Sequence, residues 1–335
     1  MVQRSEIQLG SAGAQQSTLA VEAHGLVKVF GDNRAVDGVD LSIPCGCIYA
    51  LLGPNGAGKT TIINMLTTLL KPDGGNAKVF GHDVVHETQV VRQLISLTGQ
   101  SAAVDEKLSA SENLTIFALL LGLSRSEASK RAAELLEEFG LGDAAKRTLD
   151  KFSGGMRRRL DLASSLIVQA PLIFLDEPTS GLDPRTRIQM WESIRRLVSS
   201  GSTILLTTQY LDEADQLADR IAVIDRGHVV AEGTPRELKA TIGKATLHLQ
   251  LADKKDTAEA VRTTQEVLNV KASSPEPALV TAPMADPDRV TDLLVALREA
   301  KIQLATVSVQ EPTLDEVFMA LTGDGERAEK GVIAP

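Results

Sequence analysis

Gly53-Pro54-Asn55-Gly56-Ala57-Gly58-Lys59-Thr60-Thr61 fits the pattern G-x-x-x-x-G-K-[ST], a loop for the phosphates of a nucleoside triphosphate. Its glycines let backbone N–H groups turn inward around phosphate oxygens, and a following helix N-terminus adds partial positive charge. Lys59 is placed to reach the β- and γ-phosphates, and the Thr60 hydroxyl to ligate Mg²⁺. The bland alternative, a glycine-rich turn between strand and helix, is disfavoured by the complete motif and its flanks. Leu172-Ile173-Phe174-Leu175-Asp176-Glu177 ends an apolar run in two carboxylates. In a phosphate-loop protein Asp176 holds the Mg²⁺ shell and Glu177 is placed to polarise the attacking water as general base. A surface Asp-Glu pair would look the same in isolation, but here it follows a phosphate loop. Ser153-Gly154-Gly155 opens a third candidate element, a helix start with free N–H groups for an anion. Arg157, Arg158 and Arg159 come next; they do not help the macrodipole, and a solvated face and a place near phosphates both stay open.

These residues need elements to hold them. Cys47 to Leu52 is an apolar run suited to a buried parallel strand. Ile62, Ile63, Leu66, Leu69 and Leu70 recur at helical spacing until Lys71-Pro72-Asp73-Gly74-Gly75 stops the helix. Val21–Phe30 and Val36–Ile43 read as strands joined by Gly31-Asp32-Asn33. Phe30 at that tip fits ordinary packing and an aromatic face for adenine equally well. Ala77–Asp83 and Ile95–Gln100 read as short strands. Residues 105–165 form a helical insertion, with one helix opening at Ser111-Glu112-Asn113 and another capped by Ser126. Asp183 caps a helix with Pro184 at its first position, and Trp191 reads as core. Thr203 to Thr207 is a buried strand ending at Thr208-Gln209. Leu211 to Asp219 is a short acidic helix, and a hairpin follows about Arg226-Gly227.

The net charge of −9 argues against a general nucleic-acid binder. The longest apolar run, Ile116 to Leu123, is far too short to span a bilayer. Residues 1–19 read as a disordered leader without an apolar signal core, and 324–335 as a disordered tail. Two cysteines, Cys45 and Cys47, are too few for a disulfide scaffold or a zinc site and point to a reducing, cytosolic setting.

Taken together, residues 20–240 resemble the ATP-binding cassette (ABC) family: an α/β phosphate-loop cassette with a mixed sheet, an antiparallel β subdomain and a helical insertion. The resemblance implies ATP and Mg²⁺ as ligands. It makes Phe30 the adenine-stacking aromatic, Gln100 the loop glutamine contacting Mg²⁺, residues 153–156 the signature, and 180–183 the loop that follows the second nucleotide strand, with Asp183 at the nucleotide. Two departures stand out. The signature usually ends in glutamine and here has Met156, and the usual switch histidine is Gln209, whose amide can hydrogen-bond a γ-phosphate but carries no proton near neutral pH. SGGMRRRL (Ser153–Leu160), LLTTQYLDEADQLA (Leu205–Ala218) and LDEVFMALTG (Leu314–Gly323) look like the actinobacterial daunorubicin/doxorubicin-resistance ATP-binding subunits. That narrower resemblance implies an ATPase homodimer at the cytoplasmic face of the membrane, paired with a separate permease and driving export of a hydrophobic drug or lipid. In such a dimer Ser153-Gly154-Gly155 of one chain faces the γ-phosphate held by Lys59 of the other.

Residues 241–323 lack nucleotide motifs and read as a small α+β domain in the order β-α-β-β-α-β, with strands at Val267–Ala272 and Ala278–Ala282 among them. A final helix carries Leu314, Val317, Phe318 and Leu321 on one face, read as packing within the protein. A soluble cassette acting on ribosomes or DNA fits poorly with a single acidic cassette. A phosphate-loop kinase or GTPase fits poorly with Ser153-Gly154-Gly155 and Asp176-Glu177. A sensor that binds ATP and hardly turns it over is kept open by Gln209.

Overall fold

Ile48–Leu52, Leu172–Asp176 and Thr203–Thr208 are buried at every position in the computed structural model, which describes residues 19–98, 104–167, 170–243, 245–284 and 288–322. A strand covered on both faces needs apolar residues throughout, which is why these runs show no polar alternation. The chain begins β1 (Leu19–Phe30), β2 (Asn33–Pro44), β3 (Ile48–Leu52), α1 (Lys59–Leu66), β4 (Gly74–Val79), β5 (His82–Asp83), α2 (Thr88–Leu94) and β6 (Ile95–Thr98). It continues through α3 (Ala110–Leu120), α4 (Arg125–Glu138), α5 (Gly154–Ser165), β7 (Leu172–Asp176), α6 (Pro184–Ser199) and β8 (Thr203–Thr208). Next come α7 (Leu211–Leu217), β9 (Arg220–Asp225), β10 (His228–Gly233) and α8 (Pro235–Ile242). It ends with β11 (Thr246–Leu251), α9 (Thr257–Leu268), β12 (Ser273–Glu276), β13 (Leu279–Pro283), α10 (Arg289–Glu299), β14 (Leu304–Gln310) and α11 (Leu314–Thr322).

Among the described residues the strands form three sheets. The central one runs β10-β9-β3-β8-β7-β6, parallel from β9 to β6 with β10 antiparallel at the edge. Tyr49, Leu51, Phe174 and Leu205 face α1 and the antiparallel sheet β2-β1-β4-β5. Ala50, Leu52, Leu175 and Leu206 face the opposite way, onto Leu114, Leu135, Leu160 and Ile194 of α3 to α6. The third sheet, β12-β13-β11-β14, is antiparallel and packs on α9 and α10, giving the expected β-α-β-β-α-β order. From it α11 returns to the cassette. Leu314 and Val317 are buried against α7 and α8, so this helix packs within the chain as expected.

Several local expectations are corrected. The helix caps of the insertion are Ser109 and Ser124, not Ser111 and Ser126. Each forms a reciprocal pair with a glutamate three residues on, Glu112 and Glu127, and that satisfies two orphan donors at once. The strand expected at Val267–Ala272 is absent, because α9 runs to Leu268 and Asn269 ends it in a left-handed turn. The strand is Ser273–Glu276, fully exposed, with Pro275 tolerated because it sits at a sheet edge. Trp191 is only partly buried, held by an indole hydrogen bond described below. Leu19 already belongs to β1, and the rest of the leader and the tail lie outside the described residues. The Cys47 thiol donates to Pro44 O at 3.2 Å and burial pushes it up to about 11, in keeping with a strand-entry residue. No helix among the described residues is long and apolar enough to cross a membrane.

Candidate functional site

The candidate residues leave the carboxyl ends of three adjacent parallel strands. β8 lies between β3 and β7, pairing Leu52 with Thr208 and Asp176 with Thr207. The phosphate loop, Asp176-Glu177 and Gln209 therefore emerge side by side. Gly53 N donates to Thr208 O at 3.2 Å, which fixes the loop's first residue to the strand that delivers Gln209.

The loop is clamped by backbone on both sides. A Cβ at Gly53 would lie 2.2 Å from Ile224 O, and one at Gly58, where φ is +107°, would lie 2.4 Å from Ala35 O. Only glycine fits either position. Gly227 N donates to Ala57 O at 3.0 Å, and Asp37 N to Gly227 O at 2.9 Å, so the β9–β10 turn joins the loop to the β1–β2 hairpin. Pro54, Asn55 and Gly56 are exposed at the crest, while Ala57, Gly58 and Lys59 are buried and Thr61 half-buried. Lys59 Nζ donates to Gly53 O at 2.8 Å and Pro54 O at 3.0 Å. Burial lowers its pKa, opposed by the negative charges of Glu177 and Asp176.

Thr60 Oγ1 lies 3.1 Å and 3.3 Å from the two carboxylate oxygens of Asp176. Thr207 Oγ1 donates to Asp176 Oδ1 at 2.5 Å and holds that carboxylate from behind. A hydroxyl and a carboxylate side by side, both hard oxygen donors, suit Mg²⁺. Glu177 follows at φ +49°, a left-handed backbone uncommon outside glycine. Its N–H donates to Thr207 O at 3.2 Å and to Thr207 Oγ1 at 3.0 Å, and its side chain is half-buried at the rim.

Phe30 is 49% exposed at its hairpin tip, outside the packed core, with the Lys28 ammonium 5.6 Å from the ring centroid. Ser153 caps α5, its hydroxyl accepting from Met156 N at 3.3 Å. Gly154 and Glu177 line one cavity of about 510 Å³, whose wall among the described residues includes no part of the phosphate loop. Asp183 is fully engaged as a cap: Thr186 Oγ1 at 2.6 Å and Thr186 N at 3.0 Å hold its carboxyl below the usual range. Gln100 lies outside the described residues.

The sequence pattern of the ABC transporter family matches residues 36–180, and that of the DrrA1-3-like ATP-binding protein C-terminal domain matches residues 233–322. The daunorubicin/doxorubicin resistance ATP-binding protein DrrA of Streptomyces peucetius is 54% identical over 92% of this chain and 94% of its own length. The chain belongs to the DrrA family of ABC transporter ATP-binding proteins. The doxorubicin resistance ATP-binding protein DrrA of Mycobacterium tuberculosis is 45% identical over 91% of this chain and 94% of its own, and the linearmycin resistance ATP-binding protein LnrL of Bacillus subtilis 36% over 90% and 98%. Among solved structures, an ATP-binding subunit of an ABC transporter aligns with TM-score 0.60 and 28% identity, over 67% of this chain and 93% of that one. A dimeric, post-hydrolysis cassette bound to ADP and Pi aligns with TM-score 0.59 and 26% identity, over 64% and 98%. As an ABC ATPase, the cassette binds and hydrolyses ATP.

The DrrA-type cassette also holds polar side chains whose partners the sequence did not indicate. The Arg158 guanidinium, one and a half turns into α5, donates to Asp176 O at 2.7 Å, Glu177 O at 2.8 Å and Pro178 O at 3.1 Å. It braces the turn that carries Glu177, so neither earlier reading of the arginines applies to it. Arg157 pairs with Glu106, and Arg159 donates to Phe139 O at 3.0 Å, tying α5 into the insertion. Glu213, within the helix read only as acidic, is fully buried. Its spacing of four from buried Leu217 was the available signal.

Proposed function

We propose that this chain is the ATP-hydrolysing half of an exporter whose permease is a separate chain, and that two copies enclose two ATP molecules. The observation that carries the hydrolytic site is the convergence of Thr60, Asp176 and Glu177 at the ends of β3 and β7. Backbone N–H groups of the loop and of the α1 start, other than those of Gly53 and Ala57 that are already bonded, bind the phosphates, and Lys59 exchanges the Gly53 and Pro54 carbonyls for phosphate oxygens. Thr60 and Asp176 hold Mg²⁺, with Gln100 as a further ligand. Bound there, the ion neutralises charge developing on the phosphates. Glu177 takes the proton of the attacking water as the terminal phosphoryl bond breaks. The Gln209 amide hydrogen-bonds the γ-phosphate from the neighbouring strand, and Phe30 stacks on adenine.

Ser153, Gly154 and Gly155, with Asp183 nearby, meet the γ-phosphate of the second copy. Ile116, Leu119 and Leu120 are exposed on one face of α3 and offer the insertion an apolar contact for the permease, which would hold the ATPase at the cytoplasmic face of the membrane. Relatives bearing the names of daunorubicin, doxorubicin and linearmycin resistance support a hydrophobic drug or lipid as cargo. The test is to co-purify the chain with its permease and measure ATP turnover against candidate cargoes. A hydrophobic drug should stimulate turnover, and Lys59→Ala should abolish ATP binding. Tight binding retained by Lys59→Ala would overturn the site, and stimulation by polar solutes alone would overturn the cargo class.

A further inference from the structure

Glu213 is 0% exposed, and its carboxyl touches the turn that follows Glu177. Its Oε1 accepts from Thr179 Oγ1 at 2.8 Å and from Trp191 Nε1 at 3.1 Å. Glu213 itself lies in α7 (Leu211–Leu217), which begins two residues after Gln209.

Thr179 stands two residues beyond Glu177, in a turn closed by Ser180 N donating to Glu177 O at 3.2 Å and Leu182 N donating to Thr179 O at 3.1 Å. Thr208 immediately precedes Gln209, accepts from Tyr210 N through Oγ1 at 2.9 Å, and receives Gly53 N at its carbonyl. One buried group therefore ties the turn after the proposed base to the helix that follows the switch amide. It does so from α7, the helix on which α11 packs.

We propose that Glu213 is a positioning residue for ATP hydrolysis, fixing the distance between Glu177 and Gln209 by tying the Thr179 turn to α7, the helix that Gln209 leads into. This rests on the assignment of Glu177 as base. Glu213 acts as a neutral acid. Its Oε2 is enclosed with no hydrogen-bonding partner among the described residues, a position tolerable for an uncharged carboxyl and not for an ionised one. Burial pushes the group up in the same sense, against its hydrogen bonds. The Trp191 contact ties the carboxyl to α6 and is the structural part of the arrangement.

The experiment is steady-state ATP turnover by the full chain, with thermal unfolding measured on every variant. Glu213→Gln keeps shape, neutrality and the acceptor, so kcat should stay within about threefold of the parent. Glu213→Leu keeps volume and removes the acceptor; kcat should fall on the order of a hundredfold, the effect of misplacing a reacting group by about 1 Å, with KM for ATP unchanged. Thr179→Val should lower kcat and add little to Glu213→Leu in the double variant. Trp191→Phe should lower the unfolding temperature and spare kcat. Glu213→Leu turning over like the parent, or Glu213→Gln failing as badly as Glu213→Leu, would overturn the proposal. Both readings are made against Glu177→Gln: if that variant is inactive, the base assignment stands whatever Glu213 does, and if it is active the assignment itself has failed.

Discussion

At Gln209 the chemistry of this site diverges most from a switch histidine. The residue is half-buried after β8, one position beyond Thr208, whose carbonyl anchors the phosphate loop. An amide there can contact a phosphate oxygen but cannot shuttle a proton. On the proposed assignment the proton goes to Glu177, whose backbone is held by Thr207 on one side and Arg158 on the other. Gln209→Ala therefore removes one positional contact and should reduce kcat roughly tenfold, whereas Glu177→Gln removes the base and should reduce it by about 10²–10⁴. Single-turnover measurements with the two variants side by side check this. Equal loss would give Gln209 a direct part in the chemical step. No imidazole titrates at the switch position, so kcat should show no limb near the ordinary histidine value arising there.

Among the elements, α11 shows the difference between a face and its destination. The spacing of Leu314, Val317, Phe318 and Leu321 gives an apolar stripe in the sequence, but only the fold shows Leu314, Val317 and Phe318 closing on the core with Ala214, Leu217 and Leu238 of α7 and α8, and Leu321 left exposed. Leu314→Ala should destabilise the chain by about 2–5 kcal/mol in denaturant unfolding, while Met319→Ala, at a side chain 69% exposed, should change little. Equal effects would place α11 elsewhere. The same contrast runs through the rest of the sequence reading. β3, β7 and β8 are legible because burial on both faces forces unbroken apolar runs, and each ends in the residues that do chemistry. The β-α-β-β-α-β order is legible from alternation in β11 and β13. Val267 and Val270 misled, because a short apolar stretch under a sheet looks alike whether it ends a helix or makes a strand. The caps at Ser109 and Ser124 carried the Ser-x-x-Glu signal, and the nearer serines masked it. Arg158 and Glu213 sit within stretches that carried the resemblance, but their partners were not legible, since these depend on which atoms the tertiary fold brings within reach.

For the whole molecule, each chain carries a phosphate loop and a separate capped helix start at Ser153, and the proposed sandwich completes the site between copies. Gly154 gives a way to test this without disturbing the single chain. A Cβ built there meets nothing within 4 Å, and the residue is exposed at the first position of α5. An acidic side chain at a helix N-terminus is compatible with the helix dipole, by a few tenths to about 1 kcal/mol. Gly154→Asp should therefore leave thermal stability and ATP binding by the loop of the same chain intact. In a sandwich the new carboxylate would point at the partner's γ-phosphate, where like charge and lost space both oppose closure. In the Glu177→Gln background, which holds ATP unhydrolysed, light scattering should show a dimer with ATP and Mg²⁺ and a monomer with ADP. Adding Gly154→Asp should return the ATP-loaded protein to a monomer, and in the parent chain should abolish turnover while ATP binding persists. A dimer that survives Gly154→Asp at unchanged affinity would mean that the α5 start does not face nucleotide and that the second half of the site lies elsewhere on the chain.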